Sequence, residues 1–109
     1  MQLLAVFTTV SEETHAELLA TAAVEQKLAA CVQADSVRST YRWKGLVERE
    51  PEIRLVFKTT KSKYKALERL LLERHPYELP AIFALPVEEA TSGYAAWVRE
   101  SVAPKRAGA

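Results

Sequence analysis

The segment from Cys31 to Thr60 constrains this chain more than any other. Two runs rich in β-branched and aromatic residues, 31–43 and 46–60, meet at Lys44-Gly45. Such residues favour strands, and glycine supplies the positive φ that a tight hairpin turn needs. An arm of about 12 residues reaches roughly 40 Å at ~3.3 Å per residue. A domain of about 100 residues is only ~35 Å across, from a radius of gyration near ~13 Å. The ribbon is therefore as long as the body that must shelter it, and an isolated two-stranded ribbon is marginal in water. Its tip carries Tyr41 and Trp43, side chains suited to a surface buried on one side and wet on the other. Pro51 would allow the hairpin to bend sharply back over its own sheet. The alternative, and the expectation, is that the tip rests on a second copy of the chain.

The remaining segments supply the body. Leu3-Leu-Ala-Val-Phe7 reads as a short central strand. Ser11 is placed to cap a first helix, with Glu12 and Glu13 at the positive end of its dipole. Leu18, Leu19, Ala22, Ala23 and Leu28 form its apolar stripe. Ser62 opens a second helix with Tyr64, Leu67, Leu70 and Leu71 on the buried face, and His75-Pro76 ends it. Residues 80–86 form a strand fenced by prolines. Thr91 or Ser92 starts a third helix bearing Tyr94, Trp97 and Val98. Val6-Phe-Thr-Thr-Val-Ser11 and Val56-Phe-Lys-Thr-Thr-Lys-Ser62 echo one another at strand-to-helix junctions. The order predicts an α+β chain: a ferredoxin-like split βαβ sandwich, antiparallel sheet with helices on one face, a long hairpin between the second and third strands, and an extra C-terminal helix. Residues 1–102 make one domain, and 103–109 a flexible tail.

Composition narrows the function classes. A net charge of +1 gives no case for nucleic-acid binding. No apolar run approaches the ~18 residues of a membrane span, and the first residues lack the basic start of a signal peptide. One cysteine cannot close an internal disulfide, so a reducing, cytoplasmic compartment is expected. The absence of Asn and the single Asp lean toward a heat-adapted, thermostable protein. With 3 glycines and no glycine-rich run there is no phosphate-cradling loop.

Seven short pieces in fixed order add a resemblance: Leu28-Ala-Ala-Cys-Val32, Tyr41-Arg-Trp-Lys-Gly45, Glu50-Pro-Glu52, Lys58-Thr59, His75-Pro-Tyr77 with Pro80, Leu85-Pro-Val87 and Tyr94-Ala-Ala-Trp97. Together, from about Phe7 to Val102, they resemble the CutA family of divalent-cation tolerance proteins. The resemblance implies a cytoplasmic homotrimer whose sheets pair and pack across subunits, with a role in the response to metal ions such as copper. Members of that family credited with copper binding carry a cysteine on the first strand and a histidine before the His-Pro-Tyr motif. This chain has Phe7 and Arg74 there, leaving His75 of that set.

Among candidate metal ligands, His75 and Cys31 stand out beside His15, yet no pair has metal-ligand spacing. His75 reads first as a helix terminator and Cys31 as a small buried hydrophobe. Strand alternation places Glu48, Glu50, Glu52, Arg54 and Lys58 on one side, with Ile53, Leu55 and Phe57 toward the helices. Lys58, Lys61, Lys63 and Lys65 crowd a helix start that already presents positive charge. An anion, or Glu50 and Glu52 of a neighbouring copy, would offset them. Tyr41, Trp43, Glu50, Glu52, Lys58, Tyr77 and Trp97 are the candidate lining of a cleft between subunits. No cofactor is required; a divalent cation such as Cu²⁺ would be held weakly. Two other classes stay open: a small-anion or nucleotide sensor resembling the trimeric PII-type regulators, and an acid–base enzyme using Lys58, Glu50 and His75.

Overall fold

A computed structural model of the chain describes residues 2–104. The elements run β1 (Leu3–Val10), α1 (Glu13–Glu25), β2 (Cys31–Trp43), β3 (Leu46–Thr60), a 3₁₀ turn (Lys61–Lys63), α2 (Tyr64–Arg74), β4 (Phe83–Val87) and α3 (Ser92–Ser101). The four strands form one sheet in the order β2-β3-β1-β4, antiparallel at every pairing. This is the split βαβ plan. β4 starts at Phe83 rather than at Pro80, and as an edge strand it tolerates Pro86. The expected tail falls largely at 105–109, outside the described residues; before it, Val102 is buried at the end of α3.

β2 and β3 pair without interruption from Cys31 opposite Lys58 to Trp43 opposite Leu46. β1 covers β3 only from Ile53 to Thr60. The outer half of the hairpin, Leu46–Glu52 with its β2 partners, thus projects as a two-stranded ribbon, and the molecule measures 53 × 29 × 20 Å. The bend at Pro51 does not occur. Pro51 sits opposite Arg38 beyond the reach of β1, where β3 has a free edge and a missing N–H costs no ladder bond.

The turn itself has positive φ at Lys44 (50°) and Gly45 (82°), as a two-residue type I′ hairpin requires. A Cβ on Gly45 would meet nothing within 4 Å. Gly45→Ala should therefore cost only the backbone strain of the left-handed region, roughly 1–2 kcal/mol. Urea unfolding would check this; an unchanged midpoint would show that the tip does not depend on that conformation.

Side-chain alternation sorts the two faces. Val6, Val10, Leu55 and Phe57 point to one face and are buried under Ala16, Leu19, Ala22 and Ala23 of α1 and Leu67, Leu70 and Leu71 of α2. Leu18 was expected in that stripe but is 67% exposed. It lies one ~100° helical step from Leu19, and four small or apolar positions already fill the buried arc. The opposite face carries Leu3, Ala5, Phe7 and their partners. α3 lies there at one end only, packing Ala95 and Val98 against Leu3 and Val87.

Two expected serine caps are absent. α1 starts at Glu13 with Glu12 at its N-cap and no side-chain cap bond; Ser11 lies one residue before that position. Ser62 lies inside the 3₁₀ turn, 3.0 Å from Thr60 Oγ1, and α2 proper begins at Tyr64. Thr91 does cap α3, accepting from the Tyr94 N–H at 3.3 Å. α1 closes in a Schellman motif: Leu28 N–H donates to the Ala23 carbonyl and Lys27 N–H to that of Val24. Lys27, at φ 58°, takes the position usually held by glycine.

Candidate functional site

A groove of about 730 Å³ lies under the projecting ribbon. Tyr41, Trp43, Glu48, Glu50 and Glu52 line one side from the hairpin, while Tyr77, Glu78 and Leu79 line the other from the segment after α2. Thr9 and Ser11 form its floor at the end of β1. Five of the seven residues expected in a cleft therefore meet here.

Strand parity explains the hairpin's contribution. Ser39 is opposite Glu50 and Tyr41 opposite Glu48, so all project to the face away from α1 and α2. The Tyr41 hydroxyl donates to Glu50 Oε1 at 2.5 Å, diagonally across the ribbon. The Tyr77 hydroxyl donates to Glu52 Oε2 at 2.7 Å. Both phenols are consequently harder to ionise. The bond to Glu50, helped by desolvation and the charges of Glu50, Glu52 and Glu48, pushes Tyr41 up to about 12. Burial and then the Glu52 bond raise Tyr77 further. Each phenol therefore stays a neutral donor at any physiological pH, holding its glutamate in place.

Lys58 and Trp97 are not in the groove. Lys58 lies eight residues along β3 from Glu50, roughly 27 Å away at ~3.4 Å per residue. Its Nζ donates to Gln33 Oε1 at 2.9 Å instead. Trp97, on α3, pairs with Tyr94 at a centroid distance of 5.8 Å. Both face the same side of the molecule as the groove residues, together with Phe7 and Phe83, whose rings stack at 5.1 Å.

His75 is held by its neighbours. Its Nε2 lies 3.0 Å from Thr8 Oγ1, and its Nδ1 accepts the Tyr77 backbone N–H at 3.1 Å. The second bond requires an unprotonated Nδ1, so the ring is the neutral Nε2–H tautomer donating to Thr8. Thr8 points to the helix face, opposite Leu55, whereas Cys31 points to the other face, opposite Lys58. Cys31 and His75 are thus on opposite sides of the sheet and cannot share an ion. Among the described residues no group of three or more His, Cys, Asp or Glu is arranged to hold a metal. The residues present do not fit a transition-metal centre within one chain.

What His75 does is carry the chain from one face to the other: it bonds Thr8 on the helix face, and Tyr77 two residues on bonds Glu52 on the opposite face. Desolvation lowers its pKa, with His15 adding to the effect and the Thr9 backbone and Glu52 opposing it. The unfolded chain then binds a proton more readily than the folded one. Stability from this site is complete above ~6.5, the unfolded value, and is lost as pH falls through the lowered folded value. Urea midpoints should drop between pH 7.5 and 5.5 in the wild type and less so in His75→Asn. Equal slopes would assign the loss elsewhere.

Sequence reasoning did not find Glu48, Glu78, Leu79, Thr9 and Ser11 as groove residues. Glu48 was readable, since it shares the parity of Glu50 and Glu52. The others depend on how the 75–82 segment passes the end of β1, and no local pattern announces that.

Comparison with known proteins agrees with this architecture. The family model described as CutA1 divalent ion tolerance protein matches residues 4–101. A divalent-cation tolerance protein CutA from Thermotoga maritima is 42% identical over 97 residues, covering 89% of this chain and 96% of that protein. Protein CutA of Homo sapiens is 40% identical over 97 residues, covering 88% of this chain and 54% of that protein. The solved CutA of Synechococcus elongatus superposes with a TM-score of 0.90 at 42% identity, covering 94% of this chain and 91% of that one. A periplasmic divalent cation tolerance protein CutA of Archaeoglobus fulgidus does so with 0.91 at 29% identity, covering 93% and 99%.

Proposed function

Because this chain belongs to the CutA1 divalent ion tolerance family, we propose that it contributes to tolerance of divalent metal ions, copper among them, as a homotrimer. It takes its ligand weakly, a divalent cation or a small molecule, at the hairpin groove, which a neighbouring copy closes. One observation carries this reading: the face that α1 and α2 leave uncovered is apolar beside the groove. Phe83 and Leu85, on the edge strand β4, are about half exposed there, and Tyr94 and Trp97 of α3 are partly exposed on the same side; β2 is the free edge at the far side of the sheet. Copies stacked on that face would bury those rings and shelter the ribbon. The Lys61 and Lys63 side chains at the start of α2 are charge partners for the groove glutamates of another copy.

The anion-sensor alternative loses ground, since the groove lining holds four glutamates and no lysine or arginine. The acid–base alternative loses its set, since Lys58, Glu50 and His75 are apart. A cytoplasmic location remains our reading from the single cysteine, although the Archaeoglobus fulgidus relative is described as periplasmic. No helix among the described residues is long and apolar enough to cross a membrane.

Calorimetric titration with Cu²⁺ and Zn²⁺ tests the site. Heat that disappears in the Glu50→Gln/Glu52→Gln variant and survives in His75→Ala supports the groove. Heat that follows His75 alone would move the site to the other face of the sheet.

A further inference from the structure

We propose that the outer half of the hairpin is an arm hinged where β1 ends, and that the Tyr77 phenol is the latch that sets its direction.

The hinge follows from where support stops. Val10 opposite Ile53 is the last pair between β1 and β3. From Val37 opposite Glu52 to Trp43 opposite Leu46, β3 has β2 as its only neighbour in the sheet. No residue from 33 to 52 belongs to an apolar core cluster or packs against one, whereas Ile53, Leu55 and Phe57 do. A ladder of hydrogen bonds open to water, with no buried apolar contact beneath it, is the kind of element that moves most readily. Pro51, beside the hinge, has no N–H through which that edge could be tied to a further strand. Inside the arm the pairing is unbroken, and the Tyr41 hydroxyl bonds Glu50. The arm therefore swings as one body. Leu46 lies six residues beyond Glu52, roughly 20 Å at ~3.4 Å per residue, so a tilt of about 15° at the base carries the tip roughly 5 Å.

The latch sits at that base. Glu52 is the first residue past the hinge, and the Tyr77 hydroxyl donates to its Oε2 at 2.7 Å. Tyr77 is itself fixed to the body. Its backbone N–H donates to His75 Nδ1 at 3.1 Å, and its ring lies 4.9 Å from the imidazole. His75 Nε2 is in turn 3.0 Å from Oγ1 of Thr8, which is buried within β1. A continuous line of bonds thus joins a buried strand to the root of the arm, and its last link, a phenol on a carboxylate, is of the stronger, charge-assisted kind. Tyr77 is a positioning residue: the direction of the arm depends on it, the folding of the arm does not. An arm already held at one angle has less freedom to lose when its tip docks. For the homotrimer proposed above, the latch would favour assembly. That consequence rests on the trimer reading, whereas the hinge and latch do not.

Double electron–electron resonance between nitroxides reads the direction of the arm. One label goes on Val47→Cys, exposed near the tip, and the other on Glu17→Cys, exposed on α1, both in a Cys31→Ala background. Labelled chains are diluted into an excess of unlabelled ones so that distances within a chain dominate. The series is repeated with Phe83→Glu added, to remove neighbouring copies that could hold the arm. With Tyr77 intact a single narrow distribution is expected. Tyr77→Phe keeps the ring and should broaden the distribution by roughly 5 Å, the reach of that modest tilt, at unchanged circular dichroism. Glu52→Ala should do the same, and the two together no more than either alone, because both cut one bond. Distributions that coincide with and without the phenol hydroxyl in both backgrounds would overturn the proposal. So would a broad distribution with Tyr77 intact, or broadening that adds in the double variant. Tyr77→Phe should also raise the concentration at which the oligomer dissociates by about tenfold. If the arm loosens while that concentration stays put, the latch stands and its part in assembly falls.

Discussion

Phe57→Ala is expected to lower the free energy of unfolding by about 3–5 kcal/mol, the range for deleting a fully buried aromatic side chain. Phe57 is 0% exposed, lies on β3 with Val6 and Val32 as its lateral neighbours, and belongs to the cluster covered by α1 and α2. The hole left by its ring would be framed by the sheet on one side and α1 and α2 on the other and could not collapse fully. Val56→Ala, one residue away on the opposite face and only half-buried, should cost far less. Urea unfolding of the two variants side by side measures the contrast. A loss below ~1 kcal/mol for Phe57→Ala would mean that the main core is not where β3 meets the two helices.

Phe83→Glu should have a small effect on the single subunit and a large one on assembly. In one chain the ring is 50% exposed and stacks on Phe7, so a carboxylate in its place stays open to water. In a homotrimer packed on that face the same carboxylate would be buried without a partner, at a cost of several kcal/mol per site. Light scattering should report a mass near three times 12.2 kDa for the wild type and a single-chain mass for the variant. A wild type that runs at the single-chain mass at micromolar concentration would end the trimer proposal. A trimer that tolerates the glutamate would move the contact to another face.

Legibility followed the range of the interactions involved. The hairpin was readable because alternation and a glycine turn act between neighbours in sequence, and the unbroken register from Cys31 to Lys58 bears that out. Placing Tyr41, Trp43, Glu50, Glu52 and Tyr77 together needed only the hairpin and the His-Pro-Tyr segment. Lys58 failed to join them for a plain metric reason: it shares their strand and their face but not their end of it. Trp97 failed because α3 covers the wrong end of the sheet. Ser11 and Ser62 look like helix caps locally, but α1 starts one residue too late for the first and a 3₁₀ turn takes up the second. Lys27 in the left-handed region is a further case, since nothing about a lysine signals a Schellman closure. The pairing of His75 with Thr8, 67 residues apart, is of the kind that only the folded sheet creates.

The sheet order also dictates a timetable. β1 is flanked on both sides, yet both flanking partners lie far downstream: Thr8 waits for Leu55, and Phe7 for Phe83. During synthesis the first strand stays without neighbours until most of the subunit has left the ribosome, and such distant pairings slow folding. Until then its apolar run is open to strands of other nascent chains. β2 and β3 can zip up much earlier from Gly45. The piece that reaches outward in the finished molecule would then be among the first to take shape, and the strand at its centre among the last to be locked in.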